Sequence, residues 1–149
     1  MKGRYGRCVA LTVFFAACAS PAWAQQEQQA LPEEIRVWME RDQTQRWAAM
    51  IAEGDSIFNS RSCRRCHGEG GTSGRNGPDL TDAAWVQSDG SLEGIRRTIF
   101  WGVRREDFAG SEWRFEMNPG GGVDLSWEQY SSLAAYVWSL NNGTHLPER

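Results

Sequence analysis

Cys63-Arg64-Arg65-Cys66-His67 is the stretch that decides how this chain is read. Two cysteines stand three apart, and a histidine follows the second directly. That is the spacing of a c-type haem attachment site. The chemistry sets the spacing. Two thiols on one helical turn can add across the two vinyl groups of one porphyrin edge, and the next residue then carries its imidazole beneath the iron as the proximal ligand. Other meanings of a CxxC pair need features this sequence does not offer. A zinc site needs two further ligands at knuckle spacing, and the only other histidine is His145, near the C-terminus. A dithiol oxidoreductase needs a βαβ context, and no alternating strand pattern of useful length occurs. The expectation is one covalent haem c held through Cys63 and Cys66, with His67 on the iron.

The N-terminus reads as an export signal. Lys2, Arg4 and Arg7 form a basic n-region, residues 9–17 are a short apolar run, and Ala22-Trp23-Ala24 is an A-x-A cleavage site ahead of Gln25. The apolar run is about ten residues against the ~20 that a spanning helix needs, so no membrane span is expected in the mature form. Phe15-Ala16-Ala17-Cys18 is a loose lipobox, which leaves a lipid anchor at Cys18 as an alternative. Export makes the expected location periplasmic. Residues 1–24 hold three of the 16 basic residues and none of the 19 acidic ones, which leaves 13 basic against 19 acidic and a net charge of −6. Lys2 is the only lysine. The basic patch that nucleic-acid binding requires is not supported. Past residue 24 the only cysteines are Cys63 and Cys66, so no disulfide framework is available. A chain of this size needs another aid to core formation, and a buried macrocycle supplies one.

The rest of the sequence is helical in pattern. Residues 25–31 are Gln-rich and read as a polar leader. Ile35, Trp38 and Met39, then Trp47, Met50 and Ile51, fit an amphipathic helix broken near Asp42, with a second helical stretch over residues 48–61 running into the motif. Gly54 and Phe58 are four apart and share a face. Residues 68–77, GEGGTSGRNG, form a glycine-rich loop. Trp85, Gly90 and Ser91 mark a turn. Ser91 then opens a short helix with apolar residues Leu92, Ile95, Ile99 and Phe100, closed by Gly102. Residues 103–116 are charged and aromatic without a period, and Gly120-Gly121-Gly122 reads as a flexible spacer. Ser126-Trp127-Glu128-Gln129 is a capping box, and Leu133, Val137 and Leu140 carry a helix to a stop at Asn141-Asn142-Gly143. The expected organisation is a signal peptide over 1–24, a polar leader and extra helix over 25–45, a haem domain over 46–143 and a tail over 144–149. The fold class is all-α, with three core helices around one haem and an N-terminal leader helix.

Over about residues 48–141 the chain resembles the small class I c-type cytochromes of bacteria. Gly54 and Phe58 precede the motif as in that family's first helix. Cys63, Cys66 and His67 are the attachment site, Gly77-Pro78-Asp79-Leu80 is similar to the family's Gly-Pro-x-Leu turn, Gly102 comes before a methionine segment, and Leu133 and Tyr136 match the last helix. The resemblance implies that the last helix crosses the first near Gly54. It implies that Pro78 offers its carbonyl to the proximal imidazole, that Leu80 packs on the haem face, and that Met117 is the sixth ligand. A thioether there favours ferrous iron and raises the potential. The family usually has Met-Pro where this chain has Met117-Asn118-Pro119. Among the other candidates, Met39 lies on a helix before the motif, Met50 sits in an apolar stripe, and His145 lies beyond the last helix. Trp85, Trp101, Arg97 and Arg75 are the candidate propionate donors.

The function implied is one-electron transfer by a periplasmic monomer. Electrons would pass from a dehydrogenase or membrane complex to an acceptor such as a terminal oxidase, with no bond-making chemistry of the chain's own. Two alternatives stay open: a fixed haem subunit of one dehydrogenase complex, or an open-site haem enzyme or gas sensor. Arg61, Arg64 and Arg65 could form a small positive collar at the motif. The 103–116 segment is either a docking loop or a solvated insertion.

Overall fold

A computed structural model describes residues 32–60, 62–72, 76–82, 84–108, 113 and 115–147. The chain divides into two compact units, residues 1–36 and 37–149. Of the first, only residues 32–36 are described. The proposed signal, Cys18, the residues 25–31 leader, Arg61 and Arg75 lie outside the described residues.

Helix α1 (Glu33–Ser60) is one continuous element of 28 residues, not the two expected. Local pairs carry it through the polar stretch near Asp42. Arg46 pairs with Asp42 at 2.9 Å, and the Thr44 hydroxyl donates to the Glu40 carbonyl at 2.9 Å. Each contact is small, but between Met39 and Trp47 there is no glycine or proline to end the helix. Glu33 and Glu34 sit in the first turn, where the helix dipole favours negative charge. The buried face begins at Trp47 and continues through Gly54, Ile57 and Phe58.

Helix α2 (Cys63–His67) is a single turn that holds the CxxCH motif and closes on Gly68, whose φ of 81° suits glycine. Helix α3 (Leu92–Trp101) begins where the Ser91 hydroxyl accepts from the Gly94 N–H at 2.9 Å. It buries Ile95 and Ile99 and ends at Gly102. Helix α4 (Trp127–Asn142) starts with the expected capping box. The Ser126 hydroxyl accepts from the Gln129 N–H at 3.3 Å, and the Gln129 side chain accepts from the Ser126 N–H at 3.0 Å. Every residue from Ser132 to Trp138 is buried.

Helices α1 and α4 cross at Gly54. A Cβ there would stand 2.0 Å from the Ser132 carbonyl oxygen and 2.7 Å from Tyr136 Cβ. Only a residue without a side chain lets the backbones meet so closely. Beside the crossing the Ser132 hydroxyl donates to Glu53 at 2.7 Å. Trp47 meets Trp138 edge-on at 5.8 Å, and Phe58 meets Tyr136 at 5.4 Å.

The three glycines at 120–122 do not form a flexible spacer. They follow Pro119 in a 3₁₀ turn over Pro119–Gly121, and φ values of 61°, 68° and 80° give them a left-handed path that side chains resist. The Gly121 and Gly122 N–H groups donate to the Asn118 and Pro119 carbonyls at 2.8 and 2.9 Å. Residues 103–116 leave α3 and return through one antiparallel bridge between Val103 and Met117, with bonds of 2.8 and 3.0 Å. There is no β-strand among the described residues. The fold is the all-α, cytochrome c-like arrangement, with α3 and α4 and the C-terminal half of α1 enclosing a cavity.

Candidate haem site

The cavity has a volume of about 630 Å³, within the roughly 300–1,000 Å³ of ordinary cofactor sites. Its walls bring together all six residues singled out from the sequence: Cys63, Cys66, His67, Pro78, Leu80 and Met117. The helices add apolar faces through Phe58, Ile95, Ile99, Leu133 and Val137.

His67 is fixed from two sides. Its Nδ1 lies 3.0 Å from the Pro78 carbonyl oxygen. A carbonyl only accepts, so Nδ1 carries the proton and Nε2 keeps its lone pair for a metal. Gly77 lies against the ring: a Cβ there would stand 2.9 Å from Cε1 and 3.0 Å from Nδ1. Burial pushes the imidazole pKa down, and the bond to the Pro78 carbonyl partly opposes this. The net effect keeps the ring neutral, which is the ligating form.

The loop that carries Pro78 and Leu80 is tied at Leu80, through both its N–H and its carbonyl. The Leu80 N–H donates to the Gly71 carbonyl at 2.8 Å, and Asn141 of α4 donates to the Leu80 carbonyl at 2.6 Å. Met117 is placed by its bridge to Val103 and by Gly102. A Cβ on Gly102 would lie 2.1 Å from the Met117 carbonyl oxygen, and its φ of 72° also selects glycine. The Ser62 hydroxyl donates to the Gly121 carbonyl, bringing the glycine turn beside the motif. Gly121 lies beside Cys63: a Cβ there would stand at ordinary contact distance, 3.5 Å, from its Sγ.

The other candidates fall elsewhere. Met39 is exposed, Met50 packs against the core, and the His145 ring meets Trp138 edge-on at 5.7 Å. None of the three lines the cavity. Of the propionate candidates Trp85 lines it, while Trp101 is exposed and neither Trp101 nor Arg97 reaches it. Sequence reasoning missed part of the wall. Val86, Phe108, Trp113 and Phe115 also line the cavity, so the aperiodic segment after α3 contributes aromatic surface. Its one legible signal was the presence of three aromatics among charged residues.

The donor set suits a haem better than a bare ion. Among the described residues no group of three or more His, Cys, Asp or Glu side chains converges on one point. One imidazole, two thiols and one thioether instead line an apolar space. An all-helical chain with a CxxCH turn in the wall of such a cavity is a monohaem c-type cytochrome.

Residues 49–137 match the family described as cytochrome C oxidase, cbb3-type, subunit III, and the chain belongs to that family. Its cofactor is therefore a covalently attached c-type haem. The cbb3-type cytochrome c oxidase subunit FixP of Rhizobium etli is 39% identical over 92 residues, which cover 62% of this chain and 31% of that protein. Subunit FixPc of Rhizobium leguminosarum bv. viciae is 38% identical over 92 residues, with the same shares of each chain. FixP of Bradyrhizobium diazoefficiens is 33% identical over 98 residues, 66% of this chain and 32% of that protein. The chain thus spans about a third of the length of the curated relatives it matches. No solved structure matches it. No helix among the described residues is long and apolar enough to cross a membrane.

Proposed function

We propose that this chain is a one-electron carrier, with its haem bound through Cys63 and Cys66 and its iron ligated by His67 and Met117. The bound haem supplies a reversible one-electron couple whose potential follows its axial ligands. The residues do the rest. The Pro78 carbonyl orients His67 and makes the imidazole more electron-rich. The Val103 bridge and Gly102 hold Met117 at the cavity wall. Phe58, Ile95, Ile99, Leu133 and Val137 exclude water. The observation that carries this reading is the meeting of His67, oriented through Nδ1, and Met117 in the wall of one apolar cavity.

The reading includes export to the periplasm by residues 1–24 and a haem domain over 46–143. Intact mass separates a chain starting at Gln25 from one lipidated at Cys18. Its electron donor would be a dehydrogenase or membrane complex, and its acceptor a terminal oxidase. A second reading, a fixed subunit of an oxidase in place of a free shuttle, is favoured by the oxidase-subunit names of its relatives. Co-purification with a membrane complex at stoichiometric yield distinguishes the two. The electron-carrier reading itself is tested by a potentiometric titration followed optically, with carbon monoxide then added to the ferrous protein. It predicts a reversible one-electron transition and no rapid carbon monoxide binding. Rapid binding would indicate an open iron and an enzyme or sensor.

A further inference from the structure

The Pro78 carbonyl accepts from His67, so its position sets the geometry of the proximal ligand. The backbone of Pro78 offers no second anchor. Proline has no N–H, and the carbonyl serves the imidazole. What fixes Pro78 lies two residues on, at Leu80. The Leu80 N–H donates to the Gly71 carbonyl at 2.8 Å, and the Gly71 N–H donates to the Gly68 carbonyl at 3.2 Å, next to His67. His67, Gly68, Gly71, Leu80 and Pro78 thereby close a small ring of bonds. The link from Leu80 back to Pro78 is stiff. The proline ring fixes φ, and the Asp79 carboxylate accepts from the Thr81 N–H at 2.7 Å and from its hydroxyl at 2.6 Å.

Two asparagines moor this ring to the helices that cross at Gly54. From α1, the Asn59 side-chain oxygen accepts from the Gly70 N–H at 3.3 Å. From α4, the Asn141 amide donates to the Leu80 carbonyl at 2.6 Å. The α4 bond is the shorter, and it acts on the residue that places Pro78. We infer that Asn141 is a positioning residue for the proximal ligand: by holding the Leu80 carbonyl it keeps the Pro78 carbonyl in reach of His67 Nδ1, and so lowers the reduction potential of the haem. The inference rests on the electron-carrier reading above. A hydrogen bond given by Nδ1–H makes the imidazole more electron-rich, which favours ferric iron. Without the Asn141 amide, Leu80 keeps one of its two ties, the loop shifts outward, and the bond to His67 lengthens. Loss of a ligand's direct partner typically changes metal affinity or activity by about 10–100-fold. Asn141 acts one bond further out, so a smaller effect of about threefold is expected.

Three substitutions in the holoprotein test this. Asn141→Leu removes the donor at similar volume, and Asn141→Gln keeps an amide. Asn142→Leu is the control, because the Asn142 amide donates to the Trp138 carbonyl of its own helix at 2.9 Å and not to the loop. Optical redox titration reads the potential. Proton NMR of the ferrous protein reads how fast the His67 Nδ1–H exchanges with solvent. Asn141→Leu should raise the ferrous-to-ferric ratio in a fixed redox buffer about threefold, which is roughly 28 mV at 59 mV per tenfold for one electron. It should also speed the exchange about fivefold, the weight of one ordinary hydrogen bond. Asn141→Gln should lie closer to the wild type in both readings, and Asn142→Leu should match the wild type in both. If the leucine variant at 141 does not take up haem, Asn141→Ala reads the same two quantities. A leucine or alanine variant with the wild-type potential and exchange rate overturns the inference, as does a potential that falls. An equal shift in Asn142→Leu overturns it too, by assigning the effect to the end of α4 as a whole. Failure of the electron-carrier reading would look different: the wild type would show no reversible one-electron transition, while the exchange of the His67 proton would still respond to Asn141.

Discussion

Replacing Gly54 with alanine sets two physical effects of opposite sign against each other. In an isolated helix the change stabilises by about 1 kcal/mol, because glycine has the poorer propensity. At the α1–α4 crossing the new Cβ would lie 2.0 Å from the Ser132 carbonyl oxygen and 2.7 Å from both Ser132 C and Tyr136 Cβ. These are backbone or near-backbone atoms, so no rotamer change relieves the clash. The helices must part by more than about 1 Å to restore ordinary contact distances. Overpacking of this kind costs about 1–3 kcal/mol. Parting also stretches the 2.7 Å bond from Ser132 to Glu53, at a further cost of about 1 kcal/mol. The balance is a net loss of about 2 kcal/mol, roughly 8 °C in Tm for a unit of this size. Thermal and denaturant unfolding of the holoprotein, followed by circular dichroism, measures it, with an unchanged m-value expected. A Gly54→Ala protein as stable as the wild type, or more stable, would show that propensity wins and that the crossing is looser than described.

Two other substitutions probe separate parts of the account. Gly77→Ala puts a methyl group 2.9 Å from His67 Cε1; it should tilt the imidazole off the Pro78 carbonyl and raise the high-spin fraction in the optical spectrum, and a wild-type spectrum would count against the proposed packing role of Gly77. Tyr136 has its pKa raised chiefly by burial, with the Asp55 charge acting the same way and the Asn59 hydrogen bond opposing it. The unfolded chain therefore loses this proton first, so the stability it contributes is present below about pH 10 and lost as pH rises through the higher folded value. Tyr136→Phe should flatten the alkaline limb of the stability curve, and an equally steep limb in the variant would assign that loss to other groups.

The parts of the fold that were legible in the sequence share one property: their signals are local. The Ser126–Gln129 box and Gly143 bound α4, Ser91 and Gly102 bound α3, and Cys63 to His67 lie on one turn. The parts that were not legible depend on contacts far along the chain. Gly120 to Gly122 look like a spacer until the Ser62 hydroxyl, 59 residues away, is seen to hold the Gly121 carbonyl. Phe108 ends a 3₁₀ turn over Arg105–Phe108, and Trp113 and Phe115 follow outside any helix or strand, so their common place on the cavity wall leaves no period. The polar stretch after Asp42 reads as a break by composition, yet it holds no glycine or proline to end α1, and the Arg46–Asp42 pair spans one turn there.

What the haem does turns on Met117, reached after a Val103 bridge and followed by an unusual asparagine. Optical spectra of the wild type, Met117→Ala and His145→Ala, each ferric and ferrous, test this most directly. The account predicts that the wild type and His145→Ala share a low-spin spectrum with the weak far-red band of methionine-ligated ferric haem, and that Met117→Ala loses the band and binds carbon monoxide. A Met117→Ala protein that keeps the band would contradict the account, because another residue would then close the iron that His67 holds.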